Sequence, residues 1–183
     1  DALNEQWDDF CLLQGCELEI KADGSLDYPD SVLAELDFVV ASVHTSLRQE
    51  RGQITARVMN ALNNPYVDVL GHPSGRILGQ REASAVDLDA VIEAAANTGT
   101  ALEVNSIPAR LDLDDVHVRR ARELGVKIAI NSDAHHPGAL DNLPFGLATA
   151  RRGWAASADV LNTMSFDEFR AWRQSRIAGQ HTT

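Results

Sequence analysis

No apolar run in this sequence approaches the roughly 20 residues that a membrane-spanning helix needs, and nothing at its opening reads as a secretory signal. Cysteine is scarce. Cys11 and Cys16 are the only two, five positions apart, without the spacing of a zinc pair or the density of a disulfide framework, so thiolate chemistry is not where the sequence points. Basic residues are also short: 16 Lys and Arg stand against 27 Asp and Glu, a formal net charge of −11. A surface of that sign cannot hold nucleic acid unaided, because neutralising phosphates takes clustered Lys and Arg. Repeats, low-complexity tracts and linkers are absent too. The expectation is one soluble domain over residues 1–183 in a reducing cytoplasm, with no membrane partner.

What is present is ordinary for a globular chain, 44% hydrophobic and 23% charged over 183 residues. A chain of that length removes roughly 70% of its unfolded surface from water, enough for a real core. Short runs rich in Val and Ile alternate with segments of helical period, which predicts repeated β-α units on a parallel sheet. Six strands are expected, at Cys16 to Ile20, Phe38 to Val43, Val67 to Gly71, Ala101 to Asn105, Lys127 to Asn131 and, more weakly patterned, Asp159 to Thr163. Helices are expected at Tyr28 to Leu36, Gln53 to Asn63, Asp87 to Asn97 with Gly99 beyond, and Asp114 to Leu124 with its Asp-Asp start and Gly125 stop. Ser165 to Glu168 has the form of a capping box before a last helix through Arg176, with residues 177–183 as a frayed tail. The opening ALNEQWDDF reads as the last turns of an amphipathic helix.

Side chains alternate faces along a strand, so Glu17 and Glu19 share one face of the first strand while Cys16, Leu18 and Ile20 share the other. Polar residues recur at the carboxyl ends of the following strands. They are His44, His72, the pair Glu103 and Asn105, and the pair Asp133 and His135. In a β/α barrel those ends meet on one face, where functional residues gather. Read singly, each has a plainer role: a strand-end histidine is often a hydrogen-bonded loop residue, and an Asp before a Pro-Gly turn is often a cap. Read jointly, with three histidines in equivalent places of three β-α units, they form an oxygen and imidazole set suited to Mn²⁺, Zn²⁺ or Fe²⁺. His117 lies among charged helical neighbours and is expected to be exposed; His136 points away from His135; His181 is in the tail.

The stretches GCELEI, DGSLDYPDSVLAELDFVVASVH, VDVLGHPSGRILGQRE, DLDAVIEAAANTGTALEVN and RARELGVKIAINSDAH, with DVLNT, together resemble the polymerase and histidinol phosphatase (PHP) domain at the carboxyl end of bacterial family X DNA polymerases. The resemblance implies a distorted seven-stranded β/α barrel with two or three divalent metal ions at its mouth, Mn²⁺ favoured. It implies Glu17 as the bridging ligand in preference to Glu19, His44 and His72 on one metal, Asp133 on a second and His135 on a third. It also implies metal-dependent phosphoester hydrolysis at DNA 3′ ends, as 3′-5′ exonuclease, 3′-phosphatase or abasic-site activity, with DNA affinity supplied by an attached polymerase module. Arg48, Arg76 and Arg110, which follow strand ends, and Asn105 are the candidates for holding substrate; Gly75 makes Arg76 the preferred one. Solvated charge is the alternative for each arginine.

One part of the family pattern has no match. A His-x-His strand should open the barrel, yet the first histidine here is His44. The resemblance therefore implies that the amino-terminal strands of the same barrel lie outside this sequence and that the chain alone binds metal weakly. A small-molecule phosphatase of the histidinol-phosphate kind and a non-catalytic barrel bracing a polymerase are the other two readings.

Overall fold

The computed structural model describes residues 4–7 and 10–180. Five strands form one parallel sheet in chain order: β1 (Gly15–Glu19), β2 (Phe38–Ser42), β3 (Val69–Leu70), β4 (Ala101–Asn105) and β5 (Ile128–Asn131). Helices fill the crossovers: α1 (Asp30–Leu33), α2 (Arg51–Leu62), α3 (Leu88–Thr98) and α4 (Asp115–Glu123). After β5 come α5 (Leu143–Arg152) and α6 (Phe166–Gln180). The β-α alternation read from the sequence is thus present, with β3 cut to two residues and α1 to one turn. Among the described residues no helix is long and apolar enough to cross a membrane.

The helix boundaries follow local chemistry. Asp87 accepts from the Ala90 N–H and starts α3, and Gly99, at φ 72°, takes the left-handed turn that ends it. Asp114 caps α4 by accepting from the His117 N–H at 3.0 Å. Ser165 and Glu168 exchange the two bonds of a capping box ahead of α6, at 3.3 and 2.7 Å.

Both faces of the sheet are covered, which is why its strands read as apolar runs. One face packs Leu18, Ile20, Val39, Ala41, Leu102, Val104, Ile128 and Ile130 under α2, α3 and α4, through Val58, Leu62, Val91, Ile92 and Val118. The other, inner face is divided along its length. Towards the strand amino ends it is apolar, with Val69, Ala101, Ala129 and Leu161 joined by Phe38, Val40 and Trp172. Towards the carboxyl ends the same parity carries Glu17, Glu19, Glu103, Asn105 and Asn131, so the polar residues share one rim of one face.

Several expectations fail. The sixth strand is not formed: residues 157–163 make two 3-10 turns, Ser157–Asp159 and Leu161–Thr163, with Val160 bridging Ile128 between them. Asn162 is the reason, since its side chain satisfies the Ile130 backbone where a sixth strand's own backbone would have paired. At the opening, Asn4–Gln6 is a 3-10 turn rather than the end of an amphipathic helix. The Asn4 carboxamide bonds both ways to the Leu12 backbone, at 2.9 and 2.7 Å, and folds the chain back. Ala2, Leu3, Asp8 and Asp9 of that stretch lie outside the described residues, as does His181. The supposed tail is helical as far as Gln180. Helix α5 was not expected, because Pro144 and Gly146 interrupt its pattern. Pro144 is harmless in a first turn, and Gly146 lets α5 sit against β5 and the end of β4: a Cβ there would collide with Ser106 Oγ.

Candidate metal centre

Glu17, His44 and His72 come from three separate β-α units and meet on the carboxyl rim of the sheet. One donor atom from each lies within 4.8 Å of the other two. Glu17 Oε1 is 3.2 Å from His44 Nε2 and 3.0 Å from His72 Nε2, and the two imidazole rings stand edge to face with centroids 5.1 Å apart. The parallel pairing of Glu17 with Val40 and Val40 with Val69 brings the three strand ends level. Hydrogen bonds from His44 and then His72 pull the Glu17 carboxyl far below the usual carboxylate range. The same bond to Glu17 raises His44.

His72 is almost fully buried and sits at φ 27°, where a residue with a Cβ is strained. Its backbone N–H donates to Glu103 Oε2 at 2.6 Å, and its Nδ1 is buried without a hydrogen-bond partner. Glu103, buried at 4% exposure, is raised by desolvation, and Asn131 Nδ2 donates to its other oxygen at 2.8 Å.

Asp133 and His135 are not part of the close trio. Asp133, also in the left-handed region at φ 50°, accepts from Asn105 Nδ2 at 3.0 Å, and the same Nδ2 reaches Glu103 at 3.3 Å. A bridge of hydrogen bonds thus runs from Asp133 through Asn105 and Glu103 to the His72 backbone. His135 is the outermost, with its side chain 83% exposed; its Nδ1 donates to the Asp133 carbonyl at 2.8 Å. His136 stands at the N-cap position of the 3-10 turn Pro137–Asn142 without a side-chain cap bond, and it too is exposed. The expectation for His117 fails: it is half-buried and bonded to Asp114 at 2.7 Å.

Comparison with known proteins bears on this geometry. No protein-family model matches the sequence. Over 172 residues, 94% of its length, the chain is 45% identical to the DNA polymerase/3′-5′ exonuclease PolX of Bacillus subtilis, of which it spans 30%. Over 181 residues it is 30% identical to a Thermoanaerobacter protein named "Probable phosphatase", covering 92% of this chain and 71% of that one. The chain belongs to the PHP family. A further protein of the same name, from Caldanaerobacter subterraneus, is 33% identical over 134 residues and is half covered.

In this PHP chain the trio fits a divalent ion on its own chemistry. One carboxylate and two imidazoles, with no thiolate, suit Mn²⁺, Zn²⁺ or Fe²⁺. A cation shared by Glu17 Oε1 and the two ring nitrogens, 3.2 and 3.0 Å from it, would take the place of the protons that hydrogen-bond them here.

The arginines divide. Arg76 is already engaged: Nε donates to the Arg110 carbonyl at 3.0 Å, Nη2 to the Leu111 carbonyl, and Nη1 reaches Asp114 at 3.3 Å. It braces the loop after β4, which leaves it a poor choice for a substrate clamp. Arg48 is exposed beside a cleft of about 770 Å³ between residues 46–50 and 80–85. Arg110 reaches Asp133 at 3.9 Å and keeps Nη1 buried without a partner. Glu19, the alternative to Glu17 in the sequence, holds the His44 backbone and ring. Sequence reasoning passed over buried Asp112, which accepts from the Ser74 and Gly75 N–H groups of the loop after His72. It also passed over Arg57, whose place in the buried stripe Ile54, Val58, Ala61 was a visible signal.

Proposed function

We propose that the chain is the metal-binding part of a PHP-type phosphoesterase, part of a distorted β/α barrel in which Glu17, His44, His72, Asp133 and His135 hold two or three divalent ions. The observation that carries this reading is the convergence of Glu17, His44 and His72 donors within 4.8 Å, on the rim where a parallel α/β sheet gathers its functional residues. A divalent ion held there would supply Lewis acidity, favouring the hydroxide form of an attacking water and offsetting phosphate charge. The chain's own groups do the rest. Arg110, with Nε 3.9 Å from Asp133 and a buried, unpartnered Nη1, binds a phosphate oxygen, and exposed Arg48 holds a neighbouring one. Asn105 keeps Asp133 turned towards the rim.

The substrate we propose is a DNA 3′ end, processed by 3′-5′ exonuclease, 3′-phosphatase or abasic-site cleavage, with Mn²⁺ favoured. The 45% identity to PolX supports this, and the net charge of −11 makes DNA affinity the task of an attached polymerase module. Metal content of the full-length protein, purified without chelator, tests the centre: at least one Mn²⁺, Zn²⁺ or Fe²⁺ per chain is expected, and less than one overturns it. His72→Ala should abolish Mn²⁺-dependent release from DNA 3′ ends while nucleotide addition by the attached module persists.

A second reading, a small-molecule phosphatase, is favoured by the 71% coverage of the Thermoanaerobacter relative. Equal turnover of a phosphate monoester metabolite and of DNA ends would support it. A domain that only braces a polymerase would retain neither metal nor turnover.

A further inference from the structure

Arg57 heads the large side chains closed off from solvent, at 1% exposure, and it lies on α2 rather than at a strand end. A guanidinium in an apolar stripe must place its N–H groups on acceptors. Arg57 finds them on the two segments that carry Glu17 and His44. Nε donates to the Ile20 carbonyl at 2.8 Å, Nη2 donates to the same carbonyl, and Ile20 directly follows β1. Nη1 donates at 3.0 Å to both the Thr45 carbonyl and Gln49 Oε1, just beyond His44. Nη2 also donates to Glu19 Oε1 at 2.8 Å.

Glu19 is thereby fixed from several directions. Oε1 also accepts from the Thr45 N–H and hydroxyl, at 3.1 and 2.7 Å. Oε2 accepts from the His44 N–H and from its ring Nδ1, both at 2.8 Å. A carboxylate so occupied cannot rotate away, and the Nδ1 proton of His44 stays on its side. The other ring nitrogen, Nε2, is the one that faces Glu17.

We propose that Arg57 and Glu19 are positioning residues for His44: the buried guanidinium locks the carboxylate, and the carboxylate holds the imidazole in the Nδ1–H form with the Nε2 lone pair turned to the metal site. This rests on the reading of Glu17, His44 and His72 as ligands. Partners of this kind, behind a ligating histidine, are worth about 10–100-fold in metal affinity.

The test uses Glu19→Gln and Arg57→Lys, with exposed Glu35→Gln as control. The carboxamide of Glu19→Gln preserves shape and an oxygen for Arg57, but it turns N–H groups towards His44, which must then accept at Nδ1 and carry its proton on Nε2. At alkaline pH, ¹⁵N spectra of the metal-free Glu19→Gln chain should show His44 changed from the Nδ1–H to the Nε2–H pattern. Titration calorimetry with Mn²⁺ and with Zn²⁺ should show affinity about 10–100-fold weaker, with unchanged circular dichroism. Arg57→Lys, which keeps charge and loses the planar fork, should show a smaller loss in the same direction. If Glu19→Gln keeps the Nδ1–H pattern and binds within twofold of the unaltered chain, the inference is overturned while the metal reading stands. If the unaltered chain takes up neither ion, the metal reading falls, and the metal-free spectra alone then decide whether Glu19 sets the tautomer. Should Arg57→Lys not fold, Glu19→Gln carries the decision.

Discussion

Asp68 Oδ1 lies 2.5 Å from Nη2 of Arg176, tying the residue before β3 to the last helix across 108 positions of sequence. Asp68 is fully buried and also accepts from Arg173 Nε, at 3.1 and 3.0 Å, and from the Val39 N–H at 2.9 Å. This anchors α6 at the amino ends of the strands, where Phe169 and Trp172 close the inner face, with Phe169 meeting Phe38 at 5.7 Å. The rim that carries Glu17, His44 and His72 is at the opposite ends of the same strands.

Asp68→Asn should therefore destabilise the fold without touching the centre. Removing one partner of a buried pair costs about 3–5 kcal/mol, because Arg173 and Arg176 lose their counter-charge. Urea unfolding should show the loss, and metal affinity measured under native conditions should stay unchanged.

Glu17→Gln should do the reverse. The Glu17 side chain is 35% exposed, so its bonds to His44 and His72 are screened and their loss should change stability by less than about 1 kcal/mol. Bound metal should nevertheless fall below one ion per chain, as read by elemental analysis, with circular dichroism unaltered.

Asn162→Leu removes the carboxamide that serves two β5 backbone groups: Oδ1 accepts from the Ile130 N–H at 2.7 Å and Nδ2 donates to its carbonyl at 3.0 Å. Leaving such groups unpaired costs about 1–3 kcal/mol. Faster amide exchange at Ile130 in the variant, with a lower urea midpoint, is the expected signature.

The Asp114–His117 pair should give a pH-dependent contribution to stability. Its hydrogen bond raises His117 above 6.5, and nearby Asp89 and Asp112 add to this; the same bond lowers Asp114 to about 2, with help from Arg76. A raised histidine stabilises the fold fully below 6.5 and loses that contribution as pH rises through its folded value. Asp114 contributes above 3.8 and loses that contribution as pH falls through about 2. His117→Gln should thus be less stable than the parent at pH 5 and equal to it at high pH, by thermal melts across that range. Removing the cap with Asp114→Ala should cost about 1 kcal/mol at neutral pH.

The β-α alternation was legible because burial on both faces forces continuous Val and Ile runs, and because Asp87, Gly99, Asp114 and Ser165 act within one turn of their own position. Strand parity likewise read Glu17 and Glu19 onto one face. Residues 157–163 were misread because a strand and a surrogate for one share the same apolar pattern; only the Asn162 carboxamide distinguishes them. Helix α5 was missed because Gly146 looks like a breaker until Ser106 and Ile130 are packed against it.

The sequence alone carries the local and periodic part: the parallel α/β class, most caps, and the presence of polar residues at strand ends. Which of those residues meet is a tertiary outcome. The register of β1, β2 and β3 brings Glu17, His44 and His72 within reach of one another, whereas Asp133 is joined to them through Asn105 and Glu103, and His135 stays at the solvent edge. Arg57 and Arg76 were likewise assigned by packing, because where a guanidinium ends depends on carbonyls supplied from distant segments. One cause is common to all of these: hydrogen-bond and ligand geometry is set to tenths of an ångström by strand register and loop closure, and neither is written in the spacing of residues along one element.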